Sequence, residues 1–319
     1  MKPILMYPVY RFGAATPWGG NKLRTVYHQD IPDERTGEAL ELSAIPGLNS
    51  QTEDGVPLSK LIEEYGERLI GTAVTGTFPL LLKIIDAKEQ LSVQVHPDDT
   101  YAKENEGKLG KTEAWVILQA EPGAQLVYGL KEGVTLEQLK AASESGSAVE
   151  ALLNHVPVHP GDVFYIPAGT VHAIGAGILL YEIQQSSDVT YRFYDWGRMD
   201  QAGRPRELHL TKALAVTNLS FEPRKSEERV LERNEDGVKS ALLREQYFCL
   251  DRLTQCQRMP IKPDQRYFQI LTAIEDGSMT IADGDVCPLT AGQTVLVPAE
   301  GETFTITGPH FLCSYPTVD

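Results

Sequence analysis

The sequence predicts a mainly β fold of two sandwich or barrel modules with a few added helices. Short apolar segments alternate with turns rich in Gly, Pro and Asp through most of the 319 residues, and short strands at such spacing are typical of sandwiches and barrels. A charged stretch, EPRKSEERVLERNEDGVKS, separates a last part of the same kind. We therefore predict two domains, residues 1–225 and residues 226–319.

An internal repeat is the second observation behind this fold prediction. Residues 161–172 read GDVFYIPAGTVH and residues 292–301 read GQTVLVPAEG, so both carry Gly, five residues, then Pro-Ala and a nearby Gly. The repeat predicts two copies of one β unit, and only the first copy continues into a histidine, His172. Chance similarity is the alternative, because hairpins with Gly and then Pro are common.

The elements follow from periodicity in chain order. The N-terminal part favours short strands, and residues 57–71 have apolar positions at helical spacing. Residues 79–97 favour two strands joined by a polar turn, and residues 113–130 return to a strand pattern. Residues 135–156 predict a helix pair broken at Gly146, and the motifs GDVFYIPAG, ILLYEIQQS and TYRFYDW predict further strands. Residues 206–219 predict a helix before the charged stretch.

Composition and charge limit the function classes. The net charge of −15 argues against nucleic acid as a partner, although the local excess of basic residues in 191–212 leaves room for a small anionic substrate. The sequence has no apolar run of about 20 residues, and its N-terminal segment has no usable signal-peptide pattern, so we expect a cytoplasmic protein with no membrane contact. The four cysteines fit ordinary buried thiols.

Four polar residues form a candidate metal site. Gln94 and His96 share one strand face, because residues i and i+2 point the same way. His172 follows a Pro-Ala-Gly-Thr turn, and Glu113 stands at the entry to the strand EAWVILQ. Two imidazoles, a carboxylate and an amide oxygen suit Zn²⁺ or another divalent ion. The alternatives are a satisfied core or surface histidine, a glutamine that caps a backbone group, and an ion pair between Glu113 and Lys111.

Several motifs together resemble one family. The segment GDVFYIPAGTVHAI resembles the second motif of the cupin superfamily, and LSVQVHPDD followed by GKTEAWVIL resembles the metal-binding half of the type I mannose-6-phosphate isomerases. PWGG and YEIQQSSDVTYRFYDWGR are similar to the short bacterial form of that family. The likeness covers roughly residues 5–215. It implies two jelly-roll cupin modules, of which the second has lost its metal histidine.

The resemblance also implies a reaction and a ligand set. The metal ligands would be Gln94, His96, Glu113 and His172, and they would hold one Zn²⁺ per chain. The reaction would interconvert mannose 6-phosphate and fructose 6-phosphate through a cis-enediol, with the sugar phosphate as the only partner that the sequence suggests. The oligomeric state, the metal loaded in the cell, the base, and the catabolic or biosynthetic direction stay open.

The remaining candidate residues surround this ligand set. Arg192 is the first candidate for catalysis, because the family's Asp-x3-Arg pattern falls on Asp188 and Arg192. A guanidinium also gives forked donors to a phosphate or enediolate. The alternative is a surface ion pair between Arg192 and Asp188. Lys111 is a candidate contact to substrate or a solvated loop residue. The other candidates are the acid/base carboxylates Glu182 and Asp188 and the substrate contacts Ser92, Lys83 and Tyr194, where Lys83 could instead form a buried structural ion pair.

Two other functions remain open from the sequence. Two histidines and one carboxylate would also satisfy a non-haem iron dioxygenase of the cupin type. A non-catalytic sugar-binding cupin is the second alternative. The Lys and Arg residues near the ligand set favour the isomerase over both.

Overall fold

Antiparallel sheets are the main secondary structure of the chain, as seen in a computed structural model that describes residues 1–200 and 202–318. This confirms the predicted all-β class. The strands of the first part are, in chain order, β1 (Ile4–Met6), β2 (Val9–Phe12), β3 (Thr36–Leu42), β4 (Ala44–Ile45), β5 (Leu48–Asn49), β6 (Leu80–Ala87), β7 (Val93–Val95), β8 (Glu113–Ala120), β9 (Gln125–Leu130), β10 (Leu153–Pro157), β11 (Val163–Ile166), β12 (His172–Ile174), β13 (Ile178–Gln185) and β14 (Tyr191–Tyr194). Those of the last part are β15 (Arg229–Asn234), β16 (Gly237–Arg244), β17 (Phe248–Ile261), β18 (Gln269–Ala273), β19 (Gly277–Thr280), β20 (Val286–Leu289), β21 (Thr294–Val297) and β22 (Phe304–Pro316).

The helices are short and lie between strands of the first part. They are α1 (Lys22–Thr25), α2 (Leu58–Tyr65), α3 (Glu67–Ile70), α4 (Asp99–Glu106), α5 (Leu136–Glu144) and α6 (Leu210–Val216), with 3-10 turns at Gly13–Ala15 and Gly146–Leu152. The helix predicted over 206–219 is observed only over Leu210–Val216. The second helix of the pair predicted to break at Gly146 is a 3-10 turn. None of these helices has the length and apolar character that a membrane crossing would need.

Two sheets form the first module. One has the order β11-β8-β13-β6-β3-β2 and the other has the order β10-β9-β12-β7-β14. A core that includes Trp115, Tyr128, Phe164 and Ile174 lies between them. The opposite face of the six-stranded sheet packs on the last part of the chain. Strands β6 and β13 are therefore buried on both faces, which explains why they read as continuous apolar runs.

The last part forms a nine-stranded antiparallel sheet whose long strands β17 and β22 pair with each other. Its own core includes Leu271, Val295 and Phe311. Strand β1 pairs with β21, so the first strand of the chain belongs to this sheet. The division at residue 225 stays a prediction. Strand β1 precedes that boundary in the sequence but belongs to the sheet formed by the residues that follow the boundary.

The two repeated segments adopt the same local structure. Gly161 and Gly292 have φ of +91° and +87°, values that glycine adopts far more readily than other residues. Each is followed by a four-residue strand, β11 or β21, and then by a Pro-Ala pair. The likeness of the two segments therefore extends from sequence to backbone.

The segment after His96 shows how local sequence fixes the site. Pro97 ends the strand, and Asp98 caps α4 by accepting a hydrogen bond from the Tyr101 N–H. Gly107 ends the same helix with a left-handed conformation. The cap holds the chain in a sharp turn directly beyond β7, so His96 stays at the edge of the interior between the two sheets. The cysteines are free, and all except Cys287 are buried.

Candidate active site

Three of the predicted metal ligands converge on one point inside the first module. His172 on β12 stands opposite Gln94 on β7 in the sheet register, His96 follows β7, and Glu113 is the first residue of β8. Nitrogen or oxygen atoms of His96, Glu113 and His172 all lie within 4.8 Å of one another, and all three side chains are buried. The structure thus brings together residues that are up to 76 positions apart in the sequence (172 − 96 = 76).

The two imidazoles are oriented by the backbone. Nδ1 of His96 lies 2.8 Å from the Val189 carbonyl oxygen, and Nδ1 of His172 lies 2.9 Å from the Thr170 carbonyl oxygen. Because a carbonyl only accepts, each Nδ1 carries the proton and each Nε2 presents a lone pair to the shared point. Burial lowers the pKa of His96 well below its usual value and that of His172 to about 3. Two neutral imidazoles with inward lone pairs are what a divalent metal requires.

Glu113 supplies the negative charge at this point. Its Oε1 has no hydrogen-bond donor among the described residues and lies 3.3 Å from Nε2 of His172, while Oε2 lies 3.6 Å from Nε2 of His96. Burial raises the pKa of Glu113 to about 7, against the lowering effect of Lys111. An unsatisfied buried carboxylate oxygen between two lone pairs fits a cation, so these residues suit a divalent metal ion.

The Gln94 amide, the fourth predicted ligand, lies next to these three residues. Nε2 of Gln94 lies 3.4 Å from Nε2 of His172, and Oε1 accepts a hydrogen bond of 3.3 Å from the Ser92 hydroxyl. Half a turn of the amide would present Oε1 to the shared point and let Nε2 donate to Ser92 instead. An amide can adopt either orientation according to its hydrogen-bond partners, so Ser92 is placed to orient Gln94 as an oxygen ligand.

A cavity that opens to solvent adjoins the ligand set. Its walls include side chains from both sheets of the first module and from the N-terminal segment. The charged residues that line it are Arg11, Glu38, Lys83, Lys111, Glu182, Asp188, Arg192 and Arg206. Five cations against three carboxylates make this cavity locally basic in a chain whose net charge is −15, which favours an anionic ligand.

A buried ion network forms the floor of the cavity. Nζ of Lys83 lies 3.1 Å from Glu182 and 3.4 Å from Glu38, and the Trp115 indole donates a 2.8 Å hydrogen bond to Glu182. Burial alone would raise the pKa of Glu182, but Lys83, Lys111 and the indole bond lower it to about 2. The alternative of a buried structural ion pair is thus observed for Lys83, which also lines the cavity. Its contact with substrate stays a prediction.

Lys111 sits between the ligand set and the cavity. Its Nζ lies 2.9 Å from Nε2 of His96 and contacts the Glu113 carboxylate. The side chain is buried and lines the cavity. The alternative of a solvated loop lysine does not apply, whereas the suspected ion pair with Glu113 is present.

Arg192 lies on β14 opposite Gln94 and lines the same cavity. The suspected ion pair between Arg192 and Asp188 is not observed, since Asp188 instead pairs with Lys108 at 2.6 Å near the surface. Nε of Arg192 is buried without a partner among the described residues. Burial is the main cause that lowers the pKa of Arg192, followed by the charge of Arg206.

Tyr194 differs from its predicted position as a wall of the sugar pocket. It is absent from the described lining of the cavity, and its ring packs edge-on against Trp196 at 5.2 Å between centroids. The register of β14 against β7 shifts between Arg192 and Tyr194. This bulge breaks the alternation that would have given the two side chains one face, so Tyr194 packs on the core beneath α5 and α6.

Sequence reasoning missed four charged residues around the cavity. Arg11 and Glu38 come from β2 and β3 and pair at 3.4 Å, and Arg206 was seen only as part of a basic stretch. Asp195 lies behind the wall and binds Arg206. Charged residues within an apolar strand, as for Glu38 and Glu41 in GEALEL, were the available signal.

Known proteins share this architecture. A model of the catalytic domain of type I phosphomannose isomerase matches residues 12–124. The mannose-6-phosphate isomerase of Streptococcus mutans is 48% identical over 206 residues, which are 63% of this chain and 64% of that protein, so this match spans less than two thirds of the relative. A mannose-6-phosphate isomerase of Bacillus subtilis strain 168 is 38% identical over 93% of both chains. The crystal structure of a Bacillus subtilis mannose 6-phosphate isomerase superposes with a TM-score of 0.90 at 36% identity, covering 99% of each chain.

Proposed function

The chain belongs to the type I phosphomannose isomerases, and from that premise we propose that it interconverts mannose 6-phosphate and fructose 6-phosphate. The single observation that carries the proposal is the convergence of His96, Glu113 and His172 beside a basic cavity. The whole-length relative of Bacillus subtilis bears the same activity in its name. The proposed reaction moves a proton between C2 and C1 through a cis-enediol.

The reaction makes three demands, and the cavity offers groups for each. A base must reach the proton on C1 or C2. Positive charge or donors must stabilise the developing enediolate. A fixed anion site must hold the phosphate, so that binding energy far from the reacting carbons positions the sugar.

We assign the metal to the four predicted ligands and propose zinc as the ion, one per chain. Two inward Nε2 lone pairs, the unsatisfied Glu113 oxygen and the Gln94 amide support this choice. The chemistry that zinc supplies when bound is Lewis-acid polarisation of the oxygen end of the sugar. The Nδ1 bonds of His96 and His172 to backbone carbonyls keep both rings fixed for that ligation.

Arg192 is proposed to stabilise the enediolate. It lines the cavity opposite Gln94, and no described carboxylate forms an ion pair with it. A guanidinium that stays charged and has free forked donors suits an oxygen on which negative charge develops.

Lys111 is the proposed proton carrier among the candidates. It lines the cavity beside the metal ligands, whereas Asp188 is paired with Lys108 near the surface. A carboxylate with a pKa of about 2, as in Glu182, is a weak base. Glu182 is instead proposed to hold Lys83 in the floor of the cavity, where Lys83 and Ser92 contact the substrate.

The experiment that tests the function is metal replacement. The protein is stripped with a chelator, zinc or another single divalent ion is restored, and conversion of mannose 6-phosphate is followed by coupled detection of fructose 6-phosphate. We expect turnover to return with the metal. His172→Ala should lose zinc and turnover together, and Arg192→Ala should keep zinc while kcat falls about 10²–10³-fold. Stoichiometric metal binding without turnover would refute the isomerase assignment.

The two alternative functions are less well supported. An iron dioxygenase would share the two histidines and the glutamate, but it gives no reason for five cationic side chains around the cavity. Oxygen uptake by the iron-loaded protein would reveal it. A non-catalytic sugar-binding protein would bind mannose 6-phosphate in the presence of zinc and convert none of it.

The remaining expectations concern cell location and domain structure. We propose a cytoplasmic protein, and four free cysteines are consistent with a reducing compartment. We also propose that residues 1–225 carry the chemistry and residues 226–319 serve packing, since the described metal cluster lies in the first part.

A further inference from the structure

One buried carboxylate lies among three arginines next to the cavity. Asp195 is 5% exposed and accepts two hydrogen bonds of 2.6 Å from Nε and Nη2 of Arg206. It also accepts a 2.8 Å bond from Nη1 of Arg198. Arg192 contributes a third guanidinium, and its pKa responds to both Arg206 and Asp195. Asp195 thus binds two guanidinium groups, of which Arg198 also lies 3.9 Å from the exposed Glu89, while Arg192 pairs with no described carboxylate. Positive charge therefore exceeds negative charge at this end of the cavity.

Arg206 presents free donors to the cavity. The paired contact with Asp195 uses Nε and Nη2, so the two N–H groups of Nη1 and one of Nη2 remain available. Arg206 lines the cavity together with Arg192. A carboxylate that binds one side of a guanidinium fixes its rotamer. Binding of an anion on the opposite side then costs little further side-chain entropy.

The turn that contains Asp195 is hydrogen-bonded to the residues just before β7, the strand that contains Gln94. Trp196 and Gly197 have φ of +58° and +68°, and the left-handed conformation is unfavourable for a tryptophan. The Trp196 indole donates a 2.7 Å bond to the Leu91 carbonyl, and Nη2 of Arg198 donates a 2.7 Å bond to the Gln90 carbonyl. These residues directly precede β7, so the position of Asp195 is set relative to Gln94.

The other cations of the cavity have carboxylate partners, and Arg11 lies 3.4 Å from Glu38. Lys83 lies between two carboxylates, Glu38 and Glu182, and Lys111 contacts Glu113 and His96 at the metal end. The excess positive charge is therefore at the arginine end. Positive charge at this end suits the anionic group of a phosphate monoester.

We propose that Asp195 is a positioning residue that fixes Arg206, and that Arg206 binds the phosphate group of the substrate. The inference rests on the proposed function and deepens it, because it assigns the phosphate to one end of the cavity and the reacting carbons to the metal end. Asp195 itself contacts no substrate.

The test compares three variants of the zinc-loaded protein. Arg206→Gln removes the cation and leaves the bond between Asp195 and Arg198, Asp195→Asn removes the positioning carboxylate, and Arg204→Gln is the matched control. Arg204 pairs with Asp200 and is 77% exposed. The measurements are KM and kcat for mannose 6-phosphate, the inhibition constant of inorganic phosphate, and the preference for mannose 6-phosphate over mannose.

Arg206→Gln should raise KM and the phosphate inhibition constant about 10- to 100-fold, with kcat nearly unchanged. The preference over unphosphorylated mannose should fall by the same factor, which a merely structural defect would not cause. Asp195→Asn should shift all three quantities in the same direction, and Arg206→Lys should restore part of the loss. Arg204→Gln should behave as wild type.

Wild-type phosphate inhibition and sugar-phosphate preference in Arg206→Gln would overturn the inference while the isomerase assignment stands. If wild-type protein failed to isomerise but its binding of inorganic phosphate, measured by calorimetry, still required Arg206, the proposed function would be wrong and the phosphate site would survive. Should Asp195→Asn not fold, the Gln and Lys variants of Arg206 decide the anion site. Normal phosphate affinity in a folded Asp195→Asn protein would refute the positioning role.

Discussion

Replacing Glu41 by glutamine should remove much of the pH dependence of stability. Glu41 on β3 is fully buried, accepts a 2.7 Å hydrogen bond from Gln29, and has no partner for Oε2 among the described residues. Burial raises the pKa of Glu41 to about 8, against the lowering effect of bonds from Gln29 and Thr294. The folded protein therefore prefers this carboxyl protonated.

The sign and size of the effect follow from proton linkage. Because the folded pKa is above the unfolded value of 4.5, the stabilising contribution is complete below about pH 4.5 and is lost as pH rises towards 8. A rise from 4.5 to about 8 corresponds to at most about 5 kcal/mol. Between pH 5 and pH 7 the wild type should lose about 2–3 kcal/mol through this group. Glu41→Gln keeps the shape and does not titrate.

Thermal melts of both proteins at half-unit steps from pH 5 to pH 8 measure the difference. At about 2 °C per kcal/mol for a chain of this size, the melting temperature of Glu41→Gln relative to wild type should rise by about 4–6 °C from pH 5 to pH 7. Other groups titrate equally in both proteins and cancel. Glu63→Gln, at an exposed position on α2, should show no such trend. Parallel pH profiles for Glu41→Gln and wild type would refute the burial argument.

The remaining predictions concern the ion network, a turn and the metal. Lys83→Met leaves the Glu38 and Glu182 carboxylates buried without their cation, so we expect about 3–5 kcal/mol of destabilisation in urea unfolding; a loss below 1 kcal/mol would contradict this. Gly292→Ala places a Cβ 2.9 Å from a tyrosine ring at a φ of +87° and should cost more stability than Gly284→Ala, which has the same φ and open space. Equal losses would show that the ring contact is harmless. Removal of the metal with a chelator should lower the melting temperature, because an ion that binds the folded protein stabilises it. Elemental analysis verifies that the metal has been removed. An unchanged melting temperature of the metal-free protein would argue against a metal site inside the core.

The convergence of His96, Glu113 and His172 was predictable because each residue stands in a short recognisable motif, although the motifs are far apart in the sequence. Gln94 and His96 are two residues apart around a strand end, and His172 follows a turn with a recognisable pattern. Strand alternation alone places such side chains towards an interior. The fold class was predictable for the same reason, since short stretches of sequence largely determine strand lengths and turns.

The pairing of charges within the cavity wall was not predictable, because it depends on strand register and on a loop. Lys83 stands directly opposite Glu182 on the neighbouring strand, and no local pattern specifies that pairing. The bulge that turns Tyr194 away from the face of Arg192 is also a property of the pair of strands. Asp195 meets Arg206 only because the intervening loop returns to the sheet.

The pairing of β1 with β21 has a consequence for biogenesis. Ile4 stands opposite Leu296, so a ribosome releases the first strand of this sheet long before it makes the neighbour. Contacts of such sequence separation close late and slow folding. Until then the hydrogen-bonding edge of β21 stays open to other chains. Residues 226–319 produced alone would carry that open edge permanently and should self-associate, whereas a chain with residues 1–8 fused after its C-terminus would offer the missing strand in cis.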